Sequence, residues 1–208
     1  MRLILCYEKI GPMAFVAHLD FQQLWWRIFR LAGLSLEQTQ GYNPRPKLRF
    51  ALPLATGFQG ENELLEVFLQ EENEGVVERL NEVAPKGLSV LASTIVPSTF
   101  PKVTALVDAL AYQVQLPYVP DNLQCNLKEA EEYLLSAELR GNELSLLLRV
   151  DNQKTVRPDV VASACCPGYD APSFPITRKG IFSNKNEKIS PWPAGLFCLT
   201  SKKKNTLC

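Results

Sequence analysis

The 208-residue chain has little with which to hold a metal: one histidine, and six cysteines in unsuitable places. Cys6, Cys125, Cys165, Cys166, Cys198 and Cys208 form no C-x-x-C pair, and the adjacent Cys165 and Cys166 suit neither a chelating turn nor an ordinary disulfide. A conventional zinc site would have to gather thiolates from scattered positions. No three-cysteine cluster is present to carry an iron–sulfur cluster, so this chain is expected to hold no metal, no cofactor and no cluster-based radical centre of its own. Reduced cysteines packed as small hydrophobes are the simpler reading.

Other absences narrow the class further. No apolar run approaches the roughly 20 residues that span a bilayer. The opening MRLILCYEKIGP lacks the long apolar core of a signal peptide, and reads as a first strand of a cytoplasmic protein. There is no Gly-rich phosphate loop, no metal-binding helix motif and no G-x-S-x-G elbow. Net charge is also missing, with 22 Lys+Arg against 22 Asp+Glu, which argues against indiscriminate nucleic-acid binding. The charge is nevertheless uneven. Residues 1–50 carry 7 basic and 3 acidic side chains, residues 51–100 carry 2 and 8, and residues 151–208 carry 9 and 4.

Hydrophobic periodicity supplies the fold. Arg2 to Glu8 alternates as a strand, and Gly11-Pro12 ends it. From His18 to Ala32 the residues Phe21, Trp25, Ile28 and Ala32, with Leu24 and Leu31, make a broad apolar stripe that Gly33 stops. Strand signals follow at Leu34–Thr39, Lys47–Leu54 and Leu64–Leu69. A second amphipathic helix spans Glu72 to Val83, and Leu88 to Val96 closes the set. The order is the split βαβ pattern of a ferredoxin-like α+β sandwich, an antiparallel sheet with helices on one face, over residues 1–97. Residues 98–165 are expected to form a smaller α+β module, an incomplete repeat of the first, with strands at Ala111–Leu116 and Glu143–Val150 and a helix at Leu127–Ala137. The Pro-, Gly-, Ser- and Lys-rich residues 166–208 are expected to be an irregular basic tail.

The chemically unusual stretch runs from His18 to Arg49. His18 and Asp20 lie at the entry of the first helix, where unpaired N–H groups favour anions. His18 is the one side chain with an ordinary pKa near neutrality. Next comes Gln40-Gly41-Tyr42-Asn43-Pro44-Arg45-Pro46-Lys47, whose two prolines fix the directions of Asn43, Arg45 and Lys47. Arg45, Lys47 and Arg49 alternate, which in extended chain makes a strip for phosphates, and Tyr42 is placed to stack on a ring. The competing reading is a structural proline turn with a solvated basic edge. Glu61, Glu63 and Glu66 read as a solvated face.

The segments Phe15-Val16-Ala17-His18-Leu19-Asp20, Arg30-Leu31-Ala32-Gly33-Leu34, Gln40 through Phe50, and Leu52-Pro53-Leu54-Ala55-Thr56-Gly57 resemble the bacterial radical-SAM-linked protein family. That family is an uncharacterised domain fused to, or encoded beside, a radical SAM protein. The likeness covers about residues 1–115, and Val156-Arg157-Pro158-Asp159 and Thr177 through Phe182 resemble its later landmarks. The region between Leu127 and Glu143 is shorter than in the family, and residues beyond Phe182 have no counterpart there. The resemblance implies a radical SAM protein as partner and supplies no reaction.

Together these readings give a leading expectation: a non-catalytic accessory module that binds substrate, with RNA the candidate, for a separate radical SAM enzyme. His18, Gln40, Tyr42, Asn43, Arg45, Lys47 and Arg49 would contact the substrate. The alternative is a small metal-independent RNA-processing enzyme, with His18 as general acid or base and Asp20 orienting it. A structural adaptor is the third.

Overall fold

The computed structural model describes residues 1–71, 74–119, 131–165, 175–183 and 190–191. Strand β1 (Arg2–Lys9) leads through a short 3-10 turn (Gly11–Phe15) into helix α1 (His18–Leu31). Phe21, Trp25 and Ile28 fall on the face of α1 that the periodicity predicts, and all three are buried together with Phe29. Full burial of side chains this large stabilises by about 1.5–3 kcal/mol each. The helix stops where Gly33 adopts a φ of +67°, open to glycine at no steric cost. Leu34 N–H then donates to the Phe29 carbonyl at 2.9 Å and Gly33 N–H to the Arg30 carbonyl at 3.1 Å, a left-handed terminus that satisfies two end carbonyls. The Arg79 guanidinium donates to the Ala32 and Gly33 carbonyls just beyond it.

Strands β2 (Leu48–Phe50) and β3 (Gln59–Phe68), helix α2 (Val76–Val83) and strand β4 (Leu88–Ile95) complete the first half. Their order across the sheet is β4-β1-β3-β2 with every neighbour antiparallel, the ferredoxin-like arrangement expected. Asn81 of α2 clamps helix to sheet, its amide donating to the Val90 carbonyl at 2.8 Å and accepting from the Val90 N–H at 2.7 Å. Leu3, Leu5 and Tyr7 face α1 and α2, joined by Leu65, Val67 and Leu69 of the β3 side. Ile4, Cys6 and Leu64, on the alternate positions, enter a second core that continues into the rest of the chain. Leu34–Thr39, expected as a strand, makes only the isolated pairings Leu36 with Leu69 and Gln38 with Pro46.

The second half repeats the strand order. β5 (Ala109–Gln115), β6 (Leu134–Arg140), β7 (Glu143–Arg149), helix α3 (Pro158–Cys165) and β8 (Ile176–Ser183) lie as β8-β5-β7-β6, the same fourth-first-third-second sequence. A two-residue strand, β9 (Ser190–Pro191), pairs with β8. Two expectations need correction. Leu134–Ala137, read as the end of a helix, belongs to strand β6 because pairing with β7 overrides an ambiguous local pattern, while residues 127–130 lie outside the described residues. Ile176–Ser183, placed within an irregular tail, is a strand inside the sheet, parallel to β3 on one side and antiparallel to β5 on the other. No helix among the described residues is long and apolar enough to cross a membrane.

Candidate functional site

The Gln40–Lys47 loop projects from a pinned neck. Thr39 N–H donates to the Arg45 carbonyl at 2.8 Å, and Arg45 N–H returns a bond to the Thr39 hydroxyl at 3.0 Å. One step inward, Lys47 N–H donates to the Glu37 carbonyl at 2.7 Å, and Glu37 N–H donates to Phe68 of β3. The two prolines therefore stiffen a loop already tied to the sheet. Gln40, Tyr42, Asn43 and Arg45 are exposed, and Tyr42 is 100% exposed. An aromatic ring held entirely in water gains nothing from burial within its own fold.

The neck opens onto a groove of about 730 Å³ lined by Arg2, Lys47, Arg49 and Lys102 with Glu37 and Glu66. As the alternation predicts, Lys47 and Arg49 share one side of the chain, the side opposite Leu48 and Phe50. Neither cation is free. Lys47 pairs with Glu37 at 3.1 Å and sits 3.9 Å from the Phe68 ring centroid. Arg49 reaches Glu66 at 2.5 Å, and Arg2 Nε reaches the other oxygen of Glu66 at 2.5 Å. One fully buried carboxylate thus serves two guanidiniums, and with Lys102 alongside the groove keeps an excess of positive charge. Arg2 also lies over Phe68 and Phe100, at 5.9 Å from each ring centroid, so the floor is aromatic.

His18 and Asp20 stand apart from this groove. The His18 ring packs edge-on against Phe50, 5.0 Å between centroids, on the α1 side of β2, whereas Arg49 faces the other way. Burial, then the nearby Lys9 ammonium, holds the imidazole pKa below its ordinary value, so it is neutral at pH 7. Asp20 is exposed, and among the described residues no hydrogen bond joins it to His18. The structure therefore brings Lys47 and Arg49 together in one groove that none of Gln40, Tyr42, Asn43 or Arg45 lines, and leaves His18 without an orienting carboxylate. Among the described residues no group of three His, Cys, Asp or Glu side chains is placed to hold a metal.

The sequence reading missed a buried charge network. Far from forming a solvated face, Glu61, Glu63 and Glu66 each meet a cation, and Glu63 and Glu66 are buried. Arg178 Nε donates to Glu63 Oε1 at 2.7 Å, a second guanidinium nitrogen donates to Glu63 Oε2, and Arg178 also donates to the Leu52 carbonyl at 2.8 Å. Lys9, 2% exposed, donates to the Val16 carbonyl at 2.9 Å and lies 4.8 Å from the Phe21 centroid. Burial and then Arg178 lower the Lys9 pKa, with Glu63 acting the other way. For Arg178, burial is outweighed by Glu63 and by Tyr112, which hydrogen-bonds with it, and its pKa is raised. Gly60 creates the space, because a Cβ there would lie 2.5 Å from Glu63 Oε1. The signal available in the sequence was the resemblance's Arg178 landmark; nothing local to Glu63 announces a partner 115 positions away.

The fold and this geometry define a tandem ferredoxin-like α+β protein with a basic, aromatic-floored groove at the base of a proline-stiffened loop. Residues 2–155 match the family described as an uncharacterised protein conserved in bacteria (DUF2344), and the chain belongs to that family. No curated protein matches the chain.

Proposed function

We propose that this chain is a non-catalytic accessory protein that binds RNA and presents it to a separate radical SAM enzyme. Tyr42 carries the reading: a fully exposed aromatic ring, on a loop with the exposed Arg45 whose neck is held by four hydrogen bonds and whose base residues Glu37 and Lys47 line a groove with excess positive charge. Rings in that setting stack on unpaired bases at about 1–3 kcal/mol per base, while arginines and lysines hold the backbone. Phe68 and Phe100 add apolar floor beneath the cations. The radical SAM partner follows from the likeness of the His18–Asp20 and Gln40–Phe50 segments to the radical-SAM-linked family. The lack of a three-cysteine cluster agrees with a division of labour between two proteins.

Fluorescence anisotropy with a labelled single-stranded RNA tests the binding. Tyr42→Ala is expected to weaken it by about 1–3 kcal/mol, and Arg45→Ala to reduce the salt slope by about one unit. Binding indifferent to both changes removes the loop from the interface. Co-purification with a co-expressed radical SAM protein, with and without RNA, tests the partnership, and failure in both conditions counts against it.

A further inference from the structure

On the other side of the loop neck lies a second groove, of about 660 Å³, between α1 and the Leu34–Gln38 segment. That volume is within the range of about 300–1,000 Å³ usual for small-molecule clefts. Its lining differs from the first groove in one respect that matters: it contains no carboxylate. Arg27 and Arg30, one turn apart on α1, border it, and among the described residues neither forms an ion pair. Both are exposed and point to an anion from outside the fold.

Trp26, between them and the core, lines the same groove, and its indole N–H is buried with no hydrogen-bond partner. Gln38 and Gln70 donate their amides to the Leu36 carbonyl, at 3.5 and 3.3 Å, which leaves their own carbonyl oxygens to accept. Gln23 completes the polar wall. The groove therefore presents two guanidiniums and several acceptors around an apolar back wall of Phe29 and Leu34.

We infer that this groove is a nucleotide site, with phosphate on Arg27 and Arg30 and the base edge read by Gln23, Gln38 and Gln70. An exocyclic amine of the base donates to a glutamine oxygen. The same chemistry comes from a free nucleotide or from one unit of an RNA strand. The inference stands apart from the loop reading, since it uses none of Tyr42, Arg45, Lys47 or Arg49.

Isothermal titration calorimetry on the full chain, with adenosine monophosphate and with a single-stranded RNA of about eight nucleotides, decides the matter. Expected is saturable binding that weakens about tenfold or more in Arg27→Gln/Arg30→Gln. Tyr42→Ala/Arg45→Ala should leave mononucleotide binding unchanged. Binding of the mononucleotide identifies a free-nucleotide site; binding of the RNA alone, with the same dependence on Arg27 and Arg30, identifies a strand unit. Absence of binding by either ligand overturns the inference, as does binding that ignores Arg27 and Arg30. RNA binding lost only in Tyr42→Ala/Arg45→Ala overturns it while leaving the loop reading intact.

Discussion

Replacing Glu63 by glutamine isolates the charge that holds the two halves of the sheet together. Glutamine keeps the side chain's shape and one oxygen for Arg178, but removes the one carboxylate among the described residues that faces two buried cations, Arg178 at 1% and Lys9 at 2% exposure. Removing one member of a buried pair costs about 3–5 kcal/mol, because the partner's charge stays buried without compensation. Arg178 cannot shed its proton, so the full cost falls there. Against a total stability of about 5–15 kcal/mol this is a large share, and corresponds to a fall in Tm of roughly 10 °C. Urea unfolding should show a lower midpoint at an unchanged slope. Lys9 adds a second readout. Its folded pKa lies below the ordinary 10.5, so between the two values the unfolded chain binds more protons and stability rises with pH. Without Glu63 that pKa falls further, and the deficit of Glu63→Gln should shrink as pH rises into the alkaline range where Lys9 sheds its proton. Combining Glu63→Gln with Arg178→Met should cost much less than the two changes summed. A loss below about 1 kcal/mol, or strict additivity in the double variant, would refute the buried network.

Three further outcomes follow from the same charges. Burial and Glu63 push the Cys6 thiol up to about 12, so alkylation at about pH 8 should leave the Cys6 peptide unmodified in the native chain and label it in urea, as read by mass spectrometry. Glu66→Gln should cost about 2–4 kcal/mol in urea unfolding, since Arg2 and Arg49 lose their shared carboxylate; the partial exposure of Arg49 puts the effect below that of Glu63→Gln. The folded pKa of His18 lies below 6.5, so the unfolded chain takes up more protons as pH falls through that value and stability declines. His18→Phe, which keeps the ring contact with Phe50, should flatten this decline between about pH 7 and pH 5.

Helix α1 was legible because Phe21, Trp25 and Ile28 recur at helical spacing and Gly33 ends them, signals that need no knowledge of the rest of the chain. The placement of Lys47 and Arg49 on one side of the chain was equally local, a consequence of the two-residue period of extended chain. Their neutralisation was not, since Glu66 lies 17 positions beyond Arg49 and reads as one acid among several in an acidic stretch. β8 was missed for a related reason. Arg178 occupies a position where alternation calls for an apolar residue, so Ile-Thr-Arg-Lys-Gly-Ile-Phe-Ser resembles loop until Glu63 is known to receive the charge. The separation of His18 from the groove was also beyond local reading, because it depends on which face of β2 packs under α1.

The length of β2 explains why the two ferredoxin-like sets share a sheet at all. In the 4-1-3-2 order the second strand covers the outer edge of the third. Here β2 has three residues and pairs only with Leu65–Val67, which leaves the opposite end of the ten-residue β3 open. β8 takes that end, but in register at Gln59 and Gly60 alone. Two parallel positions are a thin backbone join, and the side chains just beyond them thicken it. The register shift of β3 between Gly60 and Glu63 lets consecutive residues reach across: Glu61 pairs with Lys179 at 2.6 Å, Asn62 donates to the Lys179 carbonyl at 2.8 Å, and Glu63 takes Arg178. Of these, the exposed Glu61–Lys179 pair contributes little and the buried Glu63–Arg178 pair has most to lose. The ladder Lys9, Gly60, Arg178, Tyr112 runs across four strands, and its one glycine is where the carboxylate fits. Gly60→Ala should therefore loosen the join between the halves as Glu63→Gln does, by displacing the carboxylate rather than discharging it.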